Sequence, residues 1–168
     1  TTPTSRTTQR PGRWVVRRFL ATVIVAVLPW LIAPGRIQPD TKLDLTASPW
    51  AYLARSWWAW NDHAGLGELQ NQAYGYLFPF GTVMGVLGEG LPAWAAQRAW
   101  WSILMVVAFV GADLLLRRLR VAGPALALVG AAAYALSPRV LTVLPQISIE
   151  VWPAAVAPWL VLAVLPAI

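Results

Sequence analysis

The 168-residue chain is 58% hydrophobic and only 12% charged, with 11 Trp and no Cys. This composition excludes an ordinary soluble domain, which needs more charge to cover its surface, and the missing Cys excludes disulfides and thiolate metal sites. The net charge of +6 does not indicate nucleic-acid binding, because the arginines flank apolar runs and form no basic stripe interleaved with aromatic residues. The sequence therefore predicts a membrane protein.

The first predicted element follows a polar, basic segment over residues 1–12, which we expect to be a disordered cytoplasmic tail. The run 13-RWVVRRFLATVIVAVLPWLIA-33 predicts a transmembrane helix over about residues 14–33, bent near its outer end by Pro29. A cleaved signal peptide is the alternative for this short run. It is disfavoured because small residues in an A-x-A arrangement are lacking.

A long polar and aromatic outer loop is predicted over residues 34–99, and loops of that length are usually functional. Within it, 48-SPWAYLARSWWAW-60 predicts an interfacial helix with Ser48 as N-cap and Pro49 at its first position. Residues 91–101 predict a second one that leads into the next span. Such Trp-rich helices lie among lipid headgroups, where they either anchor the loop or shape a lipid-substrate site.

Three further spans are predicted, over residues 100–116, 123–137 and 151–168. The third span is rich in small residues, which favours close helix packing in lipid. The chain is still apolar where it stops, so we expect residues 13–168 to be the N-terminal part of a longer all-α polytopic membrane domain.

Arginine clusters predict the orientation. Arg13, Arg17 and Arg18 lead the first span, and 117-RRLR-120 closes the second, so the N-terminus is expected in the cytoplasm. The basic cytoplasmic face would attract anionic lipid or an acidic protein. Asp113, near the inner end of the second span, is placed to pair with Arg117 at i,i+4.

Two acids in 34-PGRIQPDTKLDL-45 are the candidates for catalysis. Asp40 and Asp44 share one face if this segment is helical or extended. Such a carboxylate would act as a general base towards a hydroxyl, or bind a divalent cation. The alternative is a solvated turn in which Asp40 caps a helix and Lys42 pairs with Asp44.

The stretch 65-GLGELQNQAYGYLFPFG-81 combines amides and a carboxylate with phenol rings between glycines, a mixture typical of carbohydrate sites. An alternative is a polar loop folded on its own hydrogen bonds. The candidate substrate-binding residues here are Glu68, Gln70, Asn71, Gln72, Tyr74 and Tyr76. Arg139 is a further candidate, for a lipid phosphate, with snorkelling to the interface as its alternative.

No motif of a nucleotide-binding domain, zinc protease or serine hydrolase is present. A transporter or flippase segment remains an alternative, because Pro153 and Pro158 interrupt the last apolar run, but its ionisable residues would be expected at mid-membrane. A structural scaffold would leave the 65–81 stretch unexplained.

The combination of a basic first span, PDTKLDL, LARSWWAW and GELQNQAYGYLFPFG resembles the N-terminal part of the AftD-type α-(1→3)-arabinofuranosyltransferases of mycobacteria and corynebacteria. These enzymes belong to the glycosyltransferase C superfamily. The string LQNQAYGYLFP is the most specific element, and the resemblance runs from about Arg13 onward.

The resemblance implies transfer of arabinofuranose from decaprenyl-phosphoryl-arabinofuranose to the arabinan of arabinogalactan or lipoarabinomannan, at the outer face of the plasma membrane. It implies inversion at the anomeric carbon, with the catalytic acid in the first outer loop. That role falls on Asp40 first and Asp44 second, and Arg139 would stabilise the departing phosphate. The need for a divalent metal is left open, because members of the superfamily differ in it.

Overall fold

The structure is a computed structural model and describes residues 12–40, 43–62, 66–69, 77–121 and 123–165. The predicted cytoplasmic tail, apart from Gly12, lies outside the described residues. The described helices are α1 Gly12–Val27, α2 Leu43–Ala47, α3 Pro49–Ser56, α4 Thr82–Gly88, α5 Ala93–Arg118, α6 Pro124–Ala135, α7 Pro138–Val143 and α8 Val151–Val164. Turns of 3₁₀ helix cover Leu28–Leu31 and Ser148–Glu150, and Leu77–Gly81 forms a kinked turn before α4.

The helical architecture is the predicted one. In the described part of the chain, three segments are long and apolar enough to cross a membrane, namely Gly12–Leu31, Ala93–Arg118 and Pro124–Val143. The fourth predicted span is a shorter apolar helix over Ser148–Val164. One short antiparallel pair, β1 (Trp60–Asn61) with β2 (Glu68–Leu69), interrupts the helical fold in the outer loop.

The second span begins earlier than predicted. Helix α5 starts at Ala93, seven residues before the predicted start at 100, and runs without a break to Arg118. Pro92 has an extended backbone and ends the preceding loop, while the Ala-rich start of α5 favours helix. The segment 91–101 is therefore not a separate interfacial helix, since most of it is the beginning of the span.

Helix α5 is the centre of the fold, because α1, α6 and α8 all pack against it. Small residues allow the close approach that the sequence predicted: Ala127, Ala131 and Ala135 form a fully buried stripe on α6. On α5, Gly111 lies under the Trp159 indole of α8, where an added Cβ would come within 2.4 Å of the Trp159 Nε1. The four long helices thus form one packed unit around α5.

Pro158 interrupts the backbone hydrogen bonds of α8, and a neighbouring helix supplies the missing donor. Pro158 has no N–H for the Ala154 carbonyl, and Tyr134 Oη donates to that oxygen at 2.7 Å. Near Pro29, where the sequence predicts a bend, α1 ends at Val27 and continues as a 3₁₀ turn, and Ser102 Oγ donates to the Ala26 carbonyl at 2.6 Å. The carbonyl that Pro158 leaves without a donor is therefore satisfied by a side chain of the helix packed against it.

A buried ion cluster joins α1 to α5 at the end opposite the outer loop. Asp113 Oδ2 lies 3.0 Å from Arg117 Nε, the predicted i,i+4 pair, and 3.2 Å from Arg18 Nε. The Asp113 side chain is 7% exposed, so its negative charge has lost most of its hydration. The two arginines offset this cost by pairing with the carboxylate.

A helix forms where the sequence predicts an interfacial one over residues 48–60, but it ends at Ser56, and Trp60 is in β1; its place at the membrane interface stays a prediction. Helix α3 has Pro49 in its first turn, and one groove of about 400 Å³ is lined by the predicted face together with two residues of the 77–88 region; the lining is Trp50, Leu53, Ala54, Trp57, Phe78 and Thr82. Ser48, however, makes no side-chain cap. Its backbone N–H donates to the Asp44 carbonyl at 2.8 Å, so α2 passes almost directly into α3.

Candidate active site

Asp40 lies at the end of the extended segment that follows α1, and its side chain is buried between α5 and the start of α8, with 1% of the residue exposed. Its Oδ1 accepts the backbone N–H of Ser148 at 2.8 Å. Its Oδ2 is 3.5 Å from the indole Nε1 of Trp101. Because Ser148 opens the 3₁₀ turn before α8, the carboxylate occupies a helix N-terminus, where the free N–H groups favour negative charge.

Burial raises the pKa of the Asp40 carboxyl above its ordinary value of 3.8, because the charged form loses its hydration. Hydrogen bonds from Ser148 and Trp101 act in the opposite direction but do not cancel this effect. A carboxylate with a raised pKa is a stronger base than an exposed one, which is what proton removal from a hydroxyl needs.

Asp44 lies in a different setting. It is in the first turn of α2, its side chain is 74% exposed, and Oδ2 is 3.6 Å from Arg55 Nη2. Asp40 is buried whereas Asp44 is exposed, so the expectation that the two carboxylates share a face is not met. The alternative pairing with Lys42 lies outside the described residues.

Two neighbouring side chains of α5 hold the segment that carries Asp40. Gln97 pairs with the backbone of Gln38 as a strand would: its Oε1 accepts the Gln38 N–H at 3.0 Å, and its Nε2 donates to the Gln38 carbonyl at 2.9 Å. The Asp40 N–H also donates to that carbonyl, at 2.8 Å. Gln97 therefore fixes the turn from which the Asp40 side chain projects.

Arg98 holds the first part of the same segment and is fully buried. Its Nε donates to the Ile32 carbonyl at 3.0 Å, and its Nη2 to the Arg36 carbonyl at 3.0 Å and more weakly to that of Ala33 at 3.4 Å. The fork matches this turn, in which Ala33 has a left-handed φ of 37°. The guanidinium also lies over the Trp101 ring, with its carbon 4.3 Å from the centroid.

The Ser148 side of the pocket is fixed by aromatic packing. Trp100 Nε1 donates to Ser148 Oγ at 2.9 Å, and the Trp100 ring stacks on Phe80 with centroids 5.3 Å apart. On its other side, Trp152 of α8 lies 6.0 Å from the Trp100 ring. Ser148, the residue whose backbone N–H binds Asp40, is therefore held in place by packed aromatic rings.

The predicted glycan-facing stretch is only partly described. Glu68 is an exposed residue of β2, where it pairs with Asn61. Gln70, Asn71, Gln72, Tyr74 and Tyr76 lie outside the described residues. Their role in binding sugar stays a prediction.

Arg139 is the second residue of α7, after Pro138, and is exposed. None of the recorded contacts between described residues brings it to Asp40, so its role towards a phosphate also stays a prediction. No group of three or more His, Asp or Glu side chains comes together within the described part of the chain. A role of Asp40 or Asp44 in binding a divalent cation therefore stays a prediction.

Sequence reasoning missed Gln97, Arg98, Trp101 and Ser148. For Arg98 a signal was available, because an ionisable residue in an apolar helix usually has a buried role and a defined partner. For Ser148 no signal existed, since its contact to Asp40 spans 108 residues of sequence.

The comparisons with known proteins agree with this arrangement. The family model described as "Alpha-(1->3)-arabinofuranosyltransferase, N-terminal GT-C domain" matches residues 24–167. The chain is 48% identical over 150 residues to the α-(1→3)-arabinofuranosyltransferase of Mycobacterium tuberculosis, and 49% identical over 144 residues to that of Mycolicibacterium smegmatis. These matches cover 87% and 84% of this chain, but only 11% and 10% of the relatives, so the chain spans about a tenth of their length.

A solved structure shows the same fold. The cryo-EM structure of arabinofuranosyltransferase AftD from mycobacteria superposes with a TM-score of 0.83 at 40% identity, over 92% of this chain and 12% of that one. A mutant of that enzyme matches with a TM-score of 0.81 over 90% of this chain and 12% of its own. Because the family model covers most of the chain, we conclude that it belongs to the α-(1→3)-arabinofuranosyltransferase family, as part of the N-terminal GT-C domain.

Proposed function

We propose that this chain carries the catalytic base of an inverting arabinofuranosyltransferase that uses a lipid-linked sugar donor. The donor is decaprenyl-phosphoryl-arabinofuranose, and the acceptor is the arabinan of arabinogalactan or lipoarabinomannan, which gains α-(1→3) branches. The observation that carries the proposal is a buried carboxylate, Asp40, held on both oxygens in the first loop after α1 of a chain that belongs to this family.

In the proposed step, Asp40 removes the proton of the acceptor 3-hydroxyl as that oxygen attacks the anomeric carbon of the donor. A new C–O bond forms, the bond from the anomeric carbon to the phosphate oxygen breaks, and decaprenyl phosphate leaves with the electron pair. One base suffices because the displacement is a single inverting step. Holding the two substrates in line would supply much of the rate.

The geometry favours Oδ2 as the reacting oxygen. Oδ1 is bound at 2.8 Å by the Ser148 amide, whereas the contact from Oδ2 to Trp101 Nε1 is long, at 3.5 Å. Because Asp40 is 1% exposed, the acceptor reaches Oδ2 only when the chain beside Asp40 moves aside on binding. Asp44 is disfavoured, since its side chain is exposed and lies 3.6 Å from Arg55 Nη2, away from the Ser148 and Trp101 contacts that hold Asp40.

The proposed orientation has the N-terminus in the cytoplasm and Asp40 on the outer side. It is supported by Arg13, Arg17 and Arg18 at the start of α1 and by Arg117 and Arg118 at the end of α5, the other end of the bundle from Asp40. The donor then reaches the site from the outer leaflet, and the acceptor glycan from outside the membrane.

The transporter alternative loses its main support in the structure. Transporters use broken helices whose free backbone groups line a pathway. Here the Ala154 carbonyl that Pro158 frees is bound by Tyr134 Oη at 2.7 Å, so this break faces a neighbouring helix.

The test uses the full-length enzyme with the decaprenyl donor and a synthetic arabinan acceptor. We expect Asp40→Asn to lower kcat at least about 10²-fold, the scale on which a general base contributes, while Asp44→Asn stays within about twofold of the unmodified enzyme. Normal transfer by Asp40→Asn would reject the assignment, and loss in Asp44→Asn alone would move it to Asp44.

A further inference from the structure

The proposed mechanism uses Asp40 but leaves a larger buried polar network unexplained. Gln97 and Arg98 are both fully buried near the start of α5, an apolar helix that has no need of them for its own stability. Burying an amide and a guanidinium costs free energy unless every donor finds a partner. Such groups in a membrane helix usually serve a site.

The partners of this network all lie in one short segment. Arg98 donates to the carbonyls of Ile32, Ala33 and Arg36, and Gln97 takes both backbone groups of Gln38. The two side chains are also joined, since Arg98 Nη1 donates to Gln97 Oε1 at 2.9 Å. The segment that ends in Asp40 is thus bound along its length by two adjacent residues of α5.

The hydrogen bonds recorded within this segment are local turns, from Arg36 N–H to the Ala33 carbonyl at 3.2 Å and from Asp40 N–H to the Gln38 carbonyl at 2.8 Å. It forms no regular element over residues 32–40, and Ala33 and Gly35 both have left-handed backbone, with φ of 37° and 77°. A left-handed Ala is unfavourable and persists only when its surroundings impose it. The guanidinium fork of Arg98, bound on either side of this turn, is the group that imposes it.

The network reaches the carboxylate through Trp101, one helical turn beyond Gln97 and Arg98. Arg98 lies over the Trp101 ring at 4.3 Å, and the Nε1 of the same indole lies 3.5 Å from Asp40 Oδ2. The three residues of α5 therefore contact the backbone before Asp40, the turn at Asp40 and the carboxylate itself.

We propose that Gln97 and Arg98 are positioning residues for glycosyl transfer, which fix the 32–40 segment so that the Asp40 carboxylate is aimed at the acceptor hydroxyl. This inference rests on the proposed function, because it assigns the network a purpose only if Asp40 is the base. It goes further in naming residues that touch neither substrate and act through Asp40.

The variant Gln97→Glu separates positioning from folding. Glutamate keeps the size of the side chain and its acceptor towards Gln38 N–H, and its charge lies beside Arg98, which favours the fold. It replaces the donor to the Gln38 carbonyl, the group that orients the turn at Asp40, with a carboxylate oxygen that repels this carbonyl. In the full-length enzyme we expect kcat to fall roughly 10- to 100-fold, with KM for the donor within about twofold and the thermal midpoint unchanged.

Arg98→Lys is a second variant for the same purpose. Lysine keeps the charge but cannot bind several carbonyls in the geometry of a fork, so kcat should fall again with little change in KM. Ser102→Ala is the matched control on α5. It removes hydrogen bonds of the Ser102 hydroxyl with the Ala26 and Arg98 carbonyls and with Trp30 Nε1, none of which lies in the 32–40 segment, so kcat should stay unchanged.

The deciding measurement is the effect of Gln97→Glu in an Asp40→Asn background. If Gln97 acts through Asp40, the double variant has the same residual rate as Asp40→Asn alone, because the group that Gln97 orients is already gone. Losses that multiply would overturn the inference, and so would unchanged kcat in both Gln97→Glu and Arg98→Lys, or a kcat that falls only in step with the thermal midpoint. Full activity of Asp40→Asn alone would instead reject the proposed function.

Discussion

The Asp40 carboxylate accepts the backbone N–H of Ser148 at 2.8 Å, across 108 residues of sequence. This bond ties the loop after α1 to the beginning of α8, and both are packed against α5. The same carboxylate therefore links these two segments at one end of the helix bundle and is proposed to act in transfer. As a helix cap, Asp40 would only accept the Ser148 N–H, whereas as a base it would also take a proton from the substrate. These two roles respond differently to substitution and to pH, so they can be separated by experiment.

The activity should depend on pH through Asp40. Transfer needs the ionised carboxylate, and burial raises the pKa of Asp40 above 3.8, so the rate should fall on acidification at a higher pH than an exposed aspartate would give. The measurement is kcat/KM against pH in the full-length enzyme. Asp44→Asn is the control and should leave the acidic limb in place. An acidic limb at the ordinary aspartate pKa would contradict the buried base.

Stability should show the opposite dependence. A carboxyl whose folded-state pKa is raised contributes stability that is fully present below its unfolded pKa and is lost as the pH rises through its folded pKa. At neutral pH the protein therefore bears an ionised, desolvated Asp40. Asparagine keeps an acceptor for Ser148 N–H without that charge, so the thermal midpoint of Asp40→Asn relative to the unmodified protein should be highest at neutral pH.

The same difference should shrink as the pH falls through the raised pKa of Asp40 towards 3.8. Taking the difference between the two proteins cancels the titration of other groups. If the difference is constant over this range, or grows on acidification, Asp40 does not titrate as its burial requires.

The contact of Gly111 with Trp159 should be sensitive to one added carbon. A Cβ at Gly111 would lie 2.4 Å from Trp159 Nε1, the atom that donates to the Val107 carbonyl at 2.9 Å. Gly111→Ala should therefore destabilise the packing of α5 on α8 by about 1–3 kcal/mol, seen as a lower thermal midpoint. Gly130→Ala is the control, since its Cβ would meet only the flexible end of Leu116, at 2.8 Å. Equal effects of the two substitutions would contradict this packing.

The hydroxyl of Tyr134 should matter because of Pro158. Tyr134→Phe removes the donor to the Ala154 carbonyl and should destabilise the protein by about 0.5–1.5 kcal/mol. In a Pro158→Ala background the helix regains its own N–H donor to Ala154, so the same change should have little effect. The thermal midpoints of the four proteins give the coupling. If Tyr134→Phe is equally harmful in both backgrounds, the hydroxyl does not replace the missing donor.

The local elements of the fold could be predicted from the sequence because each has a local cause. The apolar run after Arg13, the start of α3 at Pro49 and the spacing of Asp113 and Arg117 all gave correct expectations, although Ser48 does not cap α3 with its side chain. The start of α5 could not be placed, because a segment with Trp, Gln and Arg reads as interfacial when its partners are unknown. Only the fold shows that Gln97 and Arg98 face the 32–38 segment and not solvent.

For the site, the sequence could name Asp40 and Asp44 but not choose between them. The choice depends on burial, which here comes from Ser148 and Trp101, residues that no short-range pattern connects to Asp40. The structure separates the two acids by their surroundings, with Asp40 enclosed and Asp44 at the surface. The amide and phenol side chains of 70–76 remain a prediction from the sequence.

The central claim, that Asp40 is a base as well as a cap, is tested most directly by measuring both rate and thermal midpoint for Asp40→Asn and Asp40→Ala in the full-length enzyme. Asparagine preserves the acceptor for Ser148 N–H and alanine removes it. We predict that both variants lose transfer by at least about 10²-fold, while only Asp40→Ala is destabilised, by about 0.5–2 kcal/mol. An Asp40→Asn enzyme that transfers arabinofuranose at the normal rate would show that Asp40 only caps the helix.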